Sequence, residues 1–230
     1  MKYMGSKNRI AKYILPIMLA EREPEQWWVE PFVGGANIID KVGGRRLGAD
    51  VNPYLIQALI DIRDNFEEFP KNNKEFTEND YMELRKNDTY KFKGYAGFAF
   101  SYGGKWLGGW CRDKMGKRDY VNEAFKNAFS QSENIQSVEF IISDYQNLKI
   151  PSNSLIYCDP PYEGTTRYKD NFNHENFWEW CREKKKEGHT IFISEYNAPN
   201  DFECVWQKEI CSSLTKNTGS KKGVEKLFTI

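Results

Sequence analysis

Ser154-Leu155-Ile156-Tyr157-Cys158-Asp159-Pro160-Pro161-Tyr162 is a short apolar run that stops at an acid, two prolines and an aromatic ring. The run reads as a buried strand, and since proline cannot continue a central strand, Asp159 is expected where the backbone leaves the sheet. In open α/β sheets ligands bind at the carboxyl ends of the strands. A carboxylate, the Pro160 carbonyl freed from the ladder and the flat ring of Tyr162 would then share one rim. That set suits a planar base bearing an exocyclic amine. The lone pair of such an amine is delocalised into its ring. Acceptors on the two amine hydrogens return density to nitrogen, and an aromatic face holds the base by stacking. Two prolines stiffen the loop that presents these groups. The plain alternative is a strand followed by an ordinary proline turn.

Working towards the amino terminus, Val138-Glu139-Phe140-Ile141-Ile142-Ser143 reads as another strand, ending at Asp144. This acid either accepts from an amino group of a bound cofactor or caps the turn that follows, and the sequence leaves both open. Trp27-Trp28-Val29-Glu30-Pro31-Phe32-Val33-Gly34-Gly35-Ala36-Asn37-Ile38-Ile39 reads as strand, glycine turn and helix. Gly34 and Gly35 would let a cofactor approach the backbone at the helix start. A further strand, Arg46 to Ala49, delivers Asp50 fifteen residues after Gly35. That is near the spacing at which Rossmann-like folds bind ribose hydroxyls. Asp50 also precedes the helix start Val51-Asn52-Pro53, and capping is compatible with binding. At the front, Gly5 and Ser6 interrupt the chain before a helical pattern in Ile10, Tyr13, Ile14 and Ile17, with Ser6 as the cap and Pro16 expected to kink or split the helix.

Residues 64–130 change character. A short helix Glu78 to Lys86, capped by Thr77, is predicted first. Gly94 to Trp110 then interleaves glycines with aromatics, which reads as exposed rings on an irregular loop. Lys105 and Trp106, followed by Arg112, Lys114, Lys117 and Arg118, make a basic, aromatic stretch suited to phosphate contact. A helix Asn122 to Phe129 is expected to pack this segment on the core through Phe125 and Phe129. Beyond Tyr162, a helix His174 to Glu187 with Phe177, Trp178 and Cys181 inward leads to the strand His189 to Ser194. Two terminal strands, Phe202 to Glu209 and Val224 to Ile230, follow. Alternating βα units with a β-rich end predict a mostly parallel sheet with an antiparallel edge.

The 230 residues suit one domain with a small insertion, and the formal net charge of zero means that any contact with nucleic acid must come from a local basic face. Five cysteines (Cys111, Cys158, Cys181, Cys204, Cys211) form no CxxC pair, and there are two histidines, so no metal site is expected and reduced thiols are. No signal peptide, lipidation motif or long apolar span is found, which predicts a cytoplasmic protein with no membrane partner.

Four stations together resemble the Dam-type (D12 class) DNA adenine-N6 methyltransferases: Tyr3-Met4-Gly5-Ser6-Lys7, Glu30-Pro31-Phe32-Val33-Gly34-Gly35, Ala49-Asp50-Val51-Asn52 and Asp159-Pro160-Pro161-Tyr162, in the family's order and with an insertion between the second and third strands. The resemblance implies a Rossmann-like methyltransferase fold, with a mostly parallel seven-stranded sheet and helices on both faces. It divides the chain into a catalytic domain, 1–63 with 131–230, and a target-recognition insertion, 64–130. It implies S-adenosylmethionine as cofactor, S-adenosylhomocysteine as product and double-stranded DNA as partner, in a bacterial or phage-infected cell. Tyr3, Lys7, Phe32, Gly34, Gly35, Asp50, Asp144 and Asp159 take cofactor-binding roles. Asp159, Pro160 and Tyr162 are the catalytic set, with Tyr162 stacking on an extruded base. Tyr3 stands where the family often has tryptophan, and Gly5-Ser6 where paired glycines are frequent. The insertion is short and does not align with GATC readers, so the target sequence is open, as is the presence of a companion restriction endonuclease.

Other readings share parts of this pattern. An Asn at the first position of the Asp159 motif marks protein-glutamine methylation and a Ser marks cytosine-N4 chemistry in related families, and the RNA adenine amine is a further substrate. A non-catalytic nucleic-acid-binding module would not need Asp159 to Tyr162 intact. A nicotinamide dehydrogenase would carry GxGxxG, which is absent.

Overall fold

The structure, a computed structural model, describes residues 1–113, 115–163, 172–211 and 222–230. Its centre is a run of parallel strands: β1 (Trp28–Glu30), β2 (Arg46–Asp50), β3 (Val138–Ile142), β4 (Leu155–Cys158) and β5 (Thr190–Glu195). Two antiparallel strands, β6 (Glu203–Cys211) and β7 (Lys222–Thr229), complete a seven-stranded sheet in the order β3-β2-β1-β4-β5-β7-β6. From β1 the chain builds outward to β2 and β3, then returns to place β4 on the other side of β1. The crevice between β1 and β4 is thus the topological switch point, where an open sheet of this kind offers its binding site.

β1 and β4 are buried at every position because both faces of the sheet are covered. One face is packed by α1 (Ala11–Ala20), α2 (Pro53–Asp64), α4 (Lys93–Ala99) and α5 (Tyr120–Ser132), contributing Ile14, Met18, Leu55, Leu59, Tyr95 and Val121 among others. The other is packed by α6 (His174–Lys186) through Phe177, Trp178, Trp180 and Cys181. Local rules account for most helix starts. Asn52 accepts from Tyr54 N and Leu55 N with Pro53 at the first helical position, and Asn173 caps α6. Thr77 and Asp80 form a reciprocal capping box on α3 (Glu78–Lys86). No described helix is long and apolar enough to cross a membrane.

Four expectations are corrected. No α-helix follows Gly34-Gly35; a single 3₁₀ turn, Ile39–Lys41, stands there. Gly34 and Ala36 both adopt left-handed φ (+51° and +55°), which breaks helical continuity, and side chains fasten the turn instead. Asn37 donates to Met1 O, and Gln131 to Gly35 O and Ala36 O. Of the kink or split expected at Pro16, the split is absent, since α1 runs unbroken from Ala11 to Ala20. Residues 93–99, read as irregular, form a buried α-helix, and Tyr95, Phe98 and Phe100 are core residues. Gly94 permits this, since a Cβ there would collide with Tyr54 O on α2. Finally, α5 turns Val121, Ala124, Ala128 and Gln131 inward, while Phe129 is half exposed. Residues 64–130 therefore share one hydrophobic core with the sheet.

Candidate active site at the carboxyl ends of the strands

The carboxyl ends of β1, β2, β4 and β5 carry Glu30, Asp50, Asp159 and Glu195, and Asp144 follows β3 by two residues. At the ends of β2 and β3 the acids are held by main-chain amides close by in the fold. Asp50 accepts from Gly34 N at 3.3 Å and from Asn52 N at 3.0 Å, fastening the glycine turn to the end of β2. Burial raises the Asp50 pKa, and these amides work against the rise. Asp144 accepts from Gln146 N at 2.9 Å and so caps its own turn. Tyr3 lies on the glycine turn. A Cβ on Gly35 would meet Tyr3 Cβ at 2.6 Å, and one on Gly34 would meet its ring at 3.0 Å. The two glycines thus make room for Tyr3. Phe32 joins Tyr145, Phe172 and Phe177 in an aromatic wall, with centroids 5.3 to 5.8 Å from its own.

On the β4–β5 side most groups are held by distant parts of the chain. Lys7 Nζ is 2.8 Å from Asp159 Oδ1, both side chains largely buried, and Nζ lies 4.5 Å from the centroid of the Tyr162 ring. Ser6 caps the turn that presents Lys7 by accepting from Asn8 N. Burial pushes the Asp159 pKa up, opposed by the Lys7 ammonium. Burial also disfavours the Lys7 charge, but Asp159 and then Glu225 outweigh it and hold its pKa above the ordinary value. Pro160 is buried beside this pair.

Tyr162 donates its hydroxyl to Glu225 Oε2 at 2.7 Å, and Tyr196 meets its ring edge-on at 4.6 Å. Glu195, 1% exposed, accepts from Tyr196 N at 2.7 Å and Glu163 N at 3.2 Å, clamping the segment after the prolines. Burial raises its pKa to about 7. Glu30, equally buried, accepts from Trp28 Nε1 at 2.8 Å, and burial lifts its pKa well above the carboxylate range. A poorly solvated rim with acids facing one ammonium can bind cationic and hydrogen-donating groups and can hold a proton taken from an amine.

Sequence reasoning missed Glu195, Glu225 and Tyr196. Glu195 carried a usable signal, an acid at the end of an apolar strand, like Asp159. Glu225 enters through the register of an antiparallel strand, which no local pattern announces.

Of the predicted nucleic-acid residues, Lys105 and Trp106 adjoin the rim through Gly104, whose carbonyl accepts from Met4 N at 3.3 Å beside Tyr3. Trp106 is half-buried, stacked on Tyr54 at 4.5 Å and tilted against Phe98 at 4.9 Å. The Lys105 stem covers Gly108. Arg112 pairs with Glu78, and Arg118 with Glu123 while lying over the Tyr120 ring. Lys117 is exposed, and Lys114 lies outside the described residues.

The sequence of residues 3–101 and 111–218 matches the family model described as D12 class N6 adenine-specific DNA methyltransferase. The type II methyltransferase M.FokI of Planomicrobium okeanokoites is 25% identical over 211 residues, covering 79% of this chain and 31% of that protein. A DNA adenine methylase of Vibrio cholerae is 29% identical over 189 residues, covering 70% of this chain and 64% of its own length. The chain thus spans less than two thirds of either relative. The solved structure of SMU.472 complexed with SAH aligns with 100% of this chain and 54% of its own at 12% identity, with a TM-score of 0.39, too distant to add to what the strand order says. With the family model matched over most of its length, the chain belongs to the D12 class of N6 adenine-specific DNA methyltransferases.

Proposed function

We propose that the protein transfers a methyl group from S-adenosylmethionine to the N6 amine of adenine in double-stranded DNA, acting on an extruded base in the cytoplasm of a bacterial or phage-infected cell. One observation carries the reading: at the switch-point rim, Asp159, Lys7 and the Tyr162 ring converge within one contact shell.

The rim suits the cofactor chemically. Acceptors at Asp50 and Asp144 fit ribose hydroxyls and an adenine amine, Tyr3 and Phe32 offer apolar walls, and the buried acids Glu30 and Asp159 favour a cationic sulfur nearby. When bound, S-adenosylmethionine supplies an electrophilic methyl on positively charged sulfur.

The chain's own residues do the rest. Asp159 accepts from the N6 hydrogens, restoring density to the nitrogen, and its burial-raised pKa lets it take the departing proton more readily than an exposed carboxylate would. The Pro160 carbonyl is the second acceptor, fixed by the stiff Pro160-Pro161 loop. Tyr162 orients the base by stacking, and Glu225 and Tyr196 hold that ring in place. Lys7 occupies the Tyr162 face and so exchanges its cation–π contact for the base on entry. Lys105, Trp106, Arg112, Lys114, Lys117 and Arg118 serve the duplex from the insertion.

Expression in a strain lacking adenine methylation, followed by mapping of modified adenines, tests this directly. N6-methyladenine at a defined sequence is the expected result. Transfer only to RNA, cytosine or protein in parallel assays would overturn the substrate, and no measurable affinity for S-adenosylmethionine would overturn the enzyme.

A further inference from the structure

The β6–β7 pair overhangs the rim on the side away from the insertion. Glu195 at the end of β5 is in register with Lys226, so Glu225 and its cross-strand partner Lys208 lie beyond the parallel strands. Opposed residues in an antiparallel pair point to the same face. Trp206 and Leu227, also opposed and two positions further along, pack on the α1 face, which sends Lys208 towards α1 as well. There it meets Tyr13. Lys208 Nζ is 3.7 Å and Lys12 Nζ 5.0 Å from the centroid of that ring, which stacks on Trp206 at 6.0 Å.

Two ammonium groups on one half-buried phenol repel each other. Among the described residues neither has a carboxylate within ion-pair distance, whereas Arg112 and Arg118 in the insertion are already paired with acids. The nearest carboxylate in register, Glu225, is engaged by the Tyr162 hydroxyl. Lys208 and Lys12 also draw the Tyr13 pKa down, which makes its hydroxyl a better donor. Two cations and an acidified hydroxyl converge on an open surface one residue pair from the ring that is to hold the base. Such a site is complementary to a phosphodiester.

We propose that Lys12, Tyr13 and Lys208 form a phosphate clamp that grips the DNA backbone beside the extruded adenine. The clamp rests on the reading of DNA as substrate. It places a second backbone contact across the site from the insertion, so that the strand is held on both sides of the base that leaves the stack.

The test is the affinity of the full chain for a duplex oligonucleotide across a salt series, with S-adenosylmethionine affinity and thermal melting as controls. In Lys12→Gln/Lys208→Gln the slope of log affinity against log salt should fall by about 0.9, the value for the one phosphate contact the clamp makes, with roughly tenfold loss at low salt. Lys12→Arg/Lys208→Arg should restore the slope. Tyr13→Phe should weaken binding a few-fold with little change of slope. Lys185→Gln, on the helix covering the opposite face, should leave the slope within about 0.3 of wild type. A wild-type slope in the double glutamine variant overturns the clamp while leaving the DNA reading intact. A wild-type protein with no salt-dependent affinity for duplex overturns both.

Discussion

The two halves of the rim are built on opposite principles. On the β1–β2–β3 side, Asp50 and Asp144 are held by backbone amides two to sixteen residues away, so the geometry follows from local turns. On the β4–β5 side, Lys7 reaches Asp159, the Tyr162 hydroxyl reaches Glu225, and Glu195 holds Glu163, each across a long stretch of chain. Under the proposed function, the first half would be a shelf of locally braced acceptors for a ligand that is bound and released. The second is a partly buried network of ionisable groups, costly to assemble and sensitive to each member. A site that binds one molecule and polarises another, as proposed for this rim, would benefit from that division.

The division breaks most visibly at Asp159. Asp159→Ala should lower the methyl-transfer rate by about a thousandfold or more in single-turnover assays while S-adenosylmethionine affinity changes far less. A near wild-type rate would place the chemistry elsewhere. Next in size, Lys7→Met leaves a buried carboxylate without its ammonium. A loss of about 3 kcal/mol in denaturant unfolding is expected at neutral pH, along with an Asp159 pKa raised further. An unchanged midpoint would show that Asp159 does not need Lys7.

Glu195 sharpens the contrast through pH. Its pKa stands at about 7 in the fold against an ordinary value of 4.5. The fold therefore favours the neutral acid. Its contribution to stability is complete below pH 4.5 and is lost as pH climbs to about 7. Glu195→Gln should gain on wild type over that interval by on the order of 2 kcal/mol, read from melting at the two ends of the range. A pH-independent difference between the two proteins would contradict the buried-acid description.

The smallest effect is expected on the local side. Asp144→Asn keeps an acceptor for Gln146 N, so the fold should be unmoved. S-adenosylmethionine affinity should fall by about fivefold if the carboxylate also serves the ligand. No change would confine Asp144 to its turn.

The same division explains what could be read from the chain. The existence of the parallel strands, the cap of α3, the starts of α2 and α6 and the acids at Asp50 and Asp159 are written in short-range pattern, and these were legible. Two elements were not. α4 is buried around its whole circumference, so no amphipathic period marks it, and its glycines resemble loop residues while serving close packing against α2 and Trp106. The expected helix after Gly35 failed for the reverse reason: a suitable apolar pattern was overruled by left-handed backbone and by bonds from Asn37 and Gln131. Within the site, Glu225 depends on strand register and Lys7 on the return of the amino-terminal segment to β4. Neither distance is encoded locally.

The collision that any side chain at position 94 would have with the carbonyl of Tyr54 has a mechanical consequence. Backbone touches backbone there, so the segment carrying Trp106 is seated on the same frame as the catalytic strands and cannot swing as a separate arm without prising the core apart. If a duplex is the substrate, as proposed, the distortion needed to bring one nucleotide to Tyr162 would fall on the DNA. Sequences whose stacks yield cheaply would be favoured before a single base edge is read.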